Sequence, residues 1–215
     1  MANAHDLLMA HRATMIGGLP YRRVAYIRST GARLWTGLKV GDFSASEGNG
    51  FTLDHRLASW PGRYSALLGS IYHSENHNVV RLITTHINDY RMYANINQKT
   101  DKAAVPQPVP VGQRNVVEVR RDFDGSVYYL VNGQRGGSIK PQSGTNTDSD
   151  EITLWSMGAG PVLNGLEIYG FSATTDRGEM RLVPVLDEDG VGCFCDLADH
   201  FRLYRMSSSA FVVGE

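Results

Sequence analysis

Apolar and polar positions alternate with period two through most of this chain. Arg91, Tyr93, Asn95 and Asn97 interleave with Tyr90, Met92, Ala94 and Ile96. Val117 and Val119 interleave with Glu118 and Arg120, Val127, Tyr129 and Val131 share a face, and Leu166 and Ile168 alternate with Glu167 and Tyr169. Such alternation predicts antiparallel strands with one face buried. The punctuation agrees. Asp124-Gly125 separates the runs 115–121 and 126–132, and Asn132-Gly133 closes the second run toward Gly137–Lys140. Both dipeptides supply the positive φ that tight hairpins require. Asn49-Gly50, Asn164-Gly165 and Asp189-Gly190 mark further turns. Val105–Val111 (VPQPVPV) carries three prolines and is therefore an edge or a crossover, not a central strand.

No long helical pattern separates these runs, which argues against a parallel α/β sheet. The predicted fold is all-β: a two-sheet antiparallel sandwich or jelly roll, with a short N-terminal helix. That helix covers residues 3–15. Asn3 is its N-cap, Asp6 sits in its first turn, and Gly17, Gly18 and Pro20 end it. The predicted division is a helical anchor with a Gly-Gly joint over 1–18 and a sandwich over 19–215.

Composition narrows the function. The 215 residues carry 21 Lys+Arg against 22 Asp+Glu, so no net basic field draws nucleic acid. No apolar run approaches the ~20 residues of a membrane span. Met1–Met15 lacks the uninterrupted apolar stretch of a secretory signal, which predicts synthesis and retention in the cytoplasm or exit by another route. Cys193 and Cys195 are one residue apart, too close for an unstrained disulfide, and read as buried thiols. The cations are 17 Arg and 4 Lys, and Arg suits planar bidentate contacts at interfaces.

Several segments together resemble a known family. Residues 19–40 contain Tyr26-Ile27, Ser29-Thr30-Gly31 and Thr36-Gly37; Asn115–Arg121 and Ser126–Gly133 form a two-strand unit ending at Asn132-Gly133. Gly165–Phe171, Leu182-Val183-Pro184-Val185, and Gly190–Asp196 followed by Phe201 make a closing segment. Over about residues 19–206 this pattern resembles the concanavalin A-like, laminin-G-like jelly-roll domains found in phages, prophages and gut bacteria. The chain departs from the family pattern at Arg33, Leu34 and Trp35, at Cys195, and at Arg205–Ala210. The resemblance implies a sandwich fold. It also implies a virion protein, displayed as a capsid decoration, head fibre or tail fibre.

The candidate chemistry is sparse. His73 and His77 bracket Glu75 without the helical zinc-protease arrangement, and a metal there needs a third ligand such as His55 or His86. Some jelly-roll enzymes flank a glycosidic bond with acids alternating along a central strand. Asp148, Asp150 and Glu151 come nearest to this, but in a polar loop. Asp148 and Asp150 are also the candidate oxygen ligands for calcium; no other cofactor is expected. Nothing orders a serine nucleophile, and no phosphate loop is present. A sugar site needs an aromatic ring for the apolar sugar face and amides or charges for the hydroxyls. Arg91, Tyr93, Asn95 and Trp60 are the candidates for carbohydrate binding, with Trp35 and Trp155 as further platforms.

These features point to a non-enzymatic virion protein. Leu7, Leu8, Met9 and Met15 would contact other capsid or tail proteins, as part of a homo-oligomer, and the sandwich would face host or mucosal glycans. Nucleic acid and membrane are not expected partners. The alternatives are a bacterial carbohydrate-binding module outside a virion, and a glycoside hydrolase.

Overall fold

The computed structural model describes residues 19–43, 46–61, 63–74, 76–84, 91–99, 107–140, 143–205 and 211–214. The expected N-terminal helix, with Leu7, Leu8, Met9 and Met15, lies outside them. The described chain is almost entirely strand. Its first half holds β1 (Arg22–Arg23), β2 (Tyr26–Ser29), β3 (Leu34–Lys39), β4 (Gly50–Leu57), β5 (Ala66–Gly69), β6 (Asn78–Thr84), β7 (Arg91–Lys99) and β8 (Gln107–Pro108). Its second half holds β9 (Arg114–Arg121), β10 (Val127–Val131), β11 (Gln134–Ile139), β12 (Glu151–Leu154), β13 (Leu166–Thr175), β14 (Gly178–Leu186), β15 (Gly192–Asp196), β16 (Arg202–Arg205) and β17 (Phe211–Gly214).

These strands form two antiparallel sheets, consistent with a jelly-roll sandwich. The larger runs β11-β10-β9-β4-β13-β14-β15-β16, with β1 on β14 and the pair β2–β17 beside β13. The smaller runs β3-β12-β5-β6-β7-β8. Inward residues of both meet in one core: Phe51, Leu53, Val117 and Val119 from the larger sheet pack with Leu67, Leu82, Ala94 and Ile96 from the smaller. Tyr129 crosses between the layers, and its hydroxyl oxygen accepts the Ala94 N–H at 2.7 Å. Burial pushes the Tyr129 phenol pKa upward, so it stays protonated there.

Turn chemistry accounts for the hairpins. Asn132 and Gly133 have φ of 52° and 79°, the double positive-φ pair of a two-residue hairpin between β10 and β11. Gly125 has φ 78°, and Asp124 Oδ1 accepts the Ser126 N–H. The proline-rich segment supplies β8, the edge of the smaller sheet, before the chain crosses to β9. Asn49-Gly50 differs from expectation. Gly50 is the first residue of β4, and a Cβ there would lie 2.0 Å from the Val119 carbonyl. The glycine answers a close approach of two backbones, not a turn.

Cys193 and Cys195 share one face of β15 and are free and buried. They form a small second cluster with Leu19, Val183 and Val185, against which Tyr21 and Leu203 pack. Burial pushes the two thiols up to about 12 and about 11.

Candidate functional site

The outer face of the smaller sheet carries one row of cross-strand neighbours: Trp35, Thr153, Gly69, Arg81 and Asn95. Their alternates Leu34, Leu154, Leu68, Leu82 and Ala94 form the inward row, so this set must face outward. Trp35 stands exposed at the edge strand β3. Thr153 is buried, its hydroxyl donating to backbone carbonyls of Gly69 and Ser156. Gly69 is small because Met157 lies over it: a Cβ there would meet Met157 Cγ at 2.9 Å and Arg81 Cβ at 3.1 Å.

Arg81 is the centre of this face. It is 9% exposed, and its Nε donates to Asn95 Oδ1 at 2.6 Å. A bulge holds Asn95 in place. Between the pairs Val79↔Gln98 and Arg81↔Asn95 the strand β7 has one extra residue, and Asn97 adopts φ 45°. That shift lets Asn95 Nδ2 donate to the Lys99 carbonyl at 2.9 Å, which fixes its oxygen toward Arg81. Burial draws the Arg81 pKa down to about 10, opposed by the phenol groups of Tyr72, Tyr129, Tyr64 and Tyr93 around it. The guanidinium is therefore still charged at neutral pH. Tyr64 and Tyr72 are 56% and 49% exposed. The result is a buried guanidinium within electrostatic reach of several phenol groups, of which Tyr64 and Tyr72 are exposed to solvent.

The residues expected from sequence are distributed unevenly. Tyr93 belongs to this cluster. Asn95 is fully buried, with both ends of its amide bonded, so it orients Arg81 and does not offer an amide to a ligand. Arg91 opens β7 opposite Pro108, and its backbone position alone is described. Trp60 is half-buried against the main core. Trp155 is fully buried, with φ 66° and its indole N–H donating to the Leu166 carbonyl at 2.9 Å. Arg81, Tyr64 and Tyr72 were not legible as a site. Tyr64 and Tyr72 lie in loops outside any alternating run, and Arg81 interrupts the apolar run of β6. A charged residue inside such a run is the one available signal, since burial demands a partner for it.

The acidic loop is structural in its contacts. Asp150 Oδ2 receives His73 Nε2 at 2.7 Å, and Glu151 Oε1 accepts the Gly37 N–H at 2.7 Å, where β3 and β12 shift register. Asp148 is exposed, and its carbonyl accepts the Gly41 N–H. The His73 and His77 rings lie 5.3 Å apart, with His77 Nδ1 on Ser74 Oγ. His55, the proposed third ligand, is buried in the core on β4, and His86 lies outside the described residues. Among the described residues no three His, Cys, Asp or Glu side chains converge to hold a metal ion.

No family model matches the chain, and no curated protein matches it. Solved structures do. One is the CBM40 module of the Ruminococcus gnavus IT-sialidase bound to α2,3-sialyllactose. It is 13% identical over 67% of this chain and 89% of that one, with a TM-score of 0.41. The same module bound to α2,6-sialyllactose is 14% identical over 68% and 92%, with a TM-score of 0.39. No site residue is carried over from either.

Proposed function

We propose that this chain is a non-enzymatic glycan-binding sandwich that holds its ligand at the tyrosine-lined face of the smaller sheet. The observation that carries the reading is Arg81, buried on the outer face and bonded to Asn95, with the phenol groups of Tyr64, Tyr72 and Tyr93 near enough to act on its charge. A guanidinium presents a rigid fork of donors to sugar hydroxyls or a carboxylate, and desolvation makes each such bond stronger. Exposed rings beside it stack on the apolar face of a sugar ring. The wider setting proposed is a phage particle, as the sequence resemblance implies, with the segment 1–18 as its anchor on the reading of that segment's apolar residues.

A glycan array probed with the intact chain and with Tyr64→Ala and Tyr72→Ala tests the site. Both rings are surface-exposed, so neither change threatens the fold. The expected result is retention of a defined glycan set by the intact chain and its loss in both variants. Binding that is absent, or unchanged in the variants, overturns the reading. The particle setting is tested separately, by sedimenting phage particles with the intact chain and with a chain lacking 1–18. Co-sedimentation of the first alone is expected.

A further inference from the structure

We infer that the molecule has a second saccharide site, in a polar cleft between β3 and the β13–β14 hairpin, with the β15–β16 turn as its floor. This rests on the glycan-binding reading and adds a site that shares no residue with the Arg81 face. The cleft has a volume of about 340 Å³, at the small end of the range for ligand sites and suited to one sugar ring.

Its inner wall is built by Asp196, Thr175, Met180, Leu38 and Tyr204. Asp196 is 2% exposed. Its Oδ1 accepts the N–H groups of Arg181 and Ala198, each at 2.9 Å. These two bonds lock the carboxylate in one orientation. Oδ2 accepts no hydrogen bond among the described residues and is not one of the sealed, unsatisfied polar atoms of the core, so it is open to the cleft that Asp196 lines. Tyr204 is half-buried, and its hydroxyl has no hydrogen-bond partner among the described residues. Burial raises its pKa, so it is a phenol and a donor at neutral pH.

Charge selects the ligand class. At the mouth, Arg177 lies 3.5 Å from Asp42, Arg202 lies 3.7 Å from Asp199, and Glu179 lies 3.5 Å from Arg181. Each lining charge except that of Asp196 thus has an opposite partner. The cleft presents one fixed, unpaired carboxylate oxygen to its contents. That disfavours acidic ligands and suits a neutral or amino sugar, whose vicinal hydroxyls or ammonium group donate to Oδ2. Met180 and Leu38 supply apolar contacts for the ring C–H groups.

The test is a titration of the ¹⁵N-labelled chain with the methyl glycosides of glucose, galactose and N-acetylglucosamine, and with glucosamine. The Arg181 and Ala198 amides, bonded to Asp196, are the reporters. Saturable shifts at these amides are expected, weakened at least about tenfold by Asp196→Asn and unaffected by Tyr72→Ala. Asn keeps the Oδ1 acceptor, so the fold is preserved, and Tyr204→Phe removes the hydroxyl alone as a second probe. Shifts confined to the surroundings of Tyr64 and Tyr72 overturn the second site and leave the first standing. If no sugar shifts any amide and the array is blank, both readings fall together.

Discussion

Arg81 Nε and Asn95 Oδ1 meet at 2.6 Å across β6 and β7, on the outer face of the smaller sheet. Asn95→Ala removes the acceptor and leaves a buried guanidinium donor without it. The expected loss is about 1–3 kcal/mol of stability, read as a lower midpoint in urea. Glycan retention should fall as well, because Arg81 is no longer aimed. Asn95→Asp restores an acceptor and should recover much of the stability. Equal binding by Asn95→Ala and the intact chain would separate this pair from the site.

His55 predicts a pH dependence. Its ring is fully buried, with Nδ1 against the Leu53 carbonyl at 3.3 Å and Nε2 without a partner among the described residues. Burial lowers its pKa from 6.5 to about 4. The unfolded chain therefore binds a proton before the native one does. Stability is complete above pH 6.5 and falls as pH drops from there to about 4, by on the order of 3 kcal/mol. His55→Leu should flatten this stretch of the profile in denaturation series at fixed pH. A slope unchanged by the substitution would assign it to other groups.

Tyr129 joins the two sheets through one hydroxyl. Tyr129→Phe keeps the ring and deprives the buried Ala94 N–H of its acceptor. A loss of about 1–3 kcal/mol is expected, with faster amide exchange at Ala94 than elsewhere in β7. Exchange that stays slow at Ala94 would show that another group replaces the phenol.

Cys193 and Cys195 should resist alkylation at mildly alkaline pH, since burial holds both as thiols and the thiolate is the nucleophile. Labelling with a thiol reagent is expected to be slow in the native protein and rapid in denaturant. Fast native labelling of either residue would contradict the packed cluster around Val183 and Val185.

Gly50→Ala should be far more damaging than a glycine change at an open turn. Its Cβ would lie 2.0 Å from the Val119 carbonyl, in the register that pairs β4 with β9. The expected outcome is insoluble expression or loss of the cooperative transition, while Gly133→Ala, with open space around it, costs on the order of 1 kcal/mol.

Local rules alone sufficed for much of the fold. Alternation in 115–121 and 126–132 marked β9 and β10, Asn132-Gly133 marked their continuation into β11, and the prolines of 105–111 marked an edge. These features act between residues close in the chain, so they are written where they act.

What brings Arg81 beside Asn95 is the lateral order of β5, β6 and β7 and a one-residue bulge at Asn97. Neither has a local signature, because sheet register is decided by which strands bury their faces together. The same holds for Trp155 and Trp35, alike in sequence as candidate platforms, of which burial put one in the core and one at an edge. The chain determined by itself where it extends and where it turns. Only the packing of the two sheets decided which polar side chains stand together and which of them remain open to a ligand.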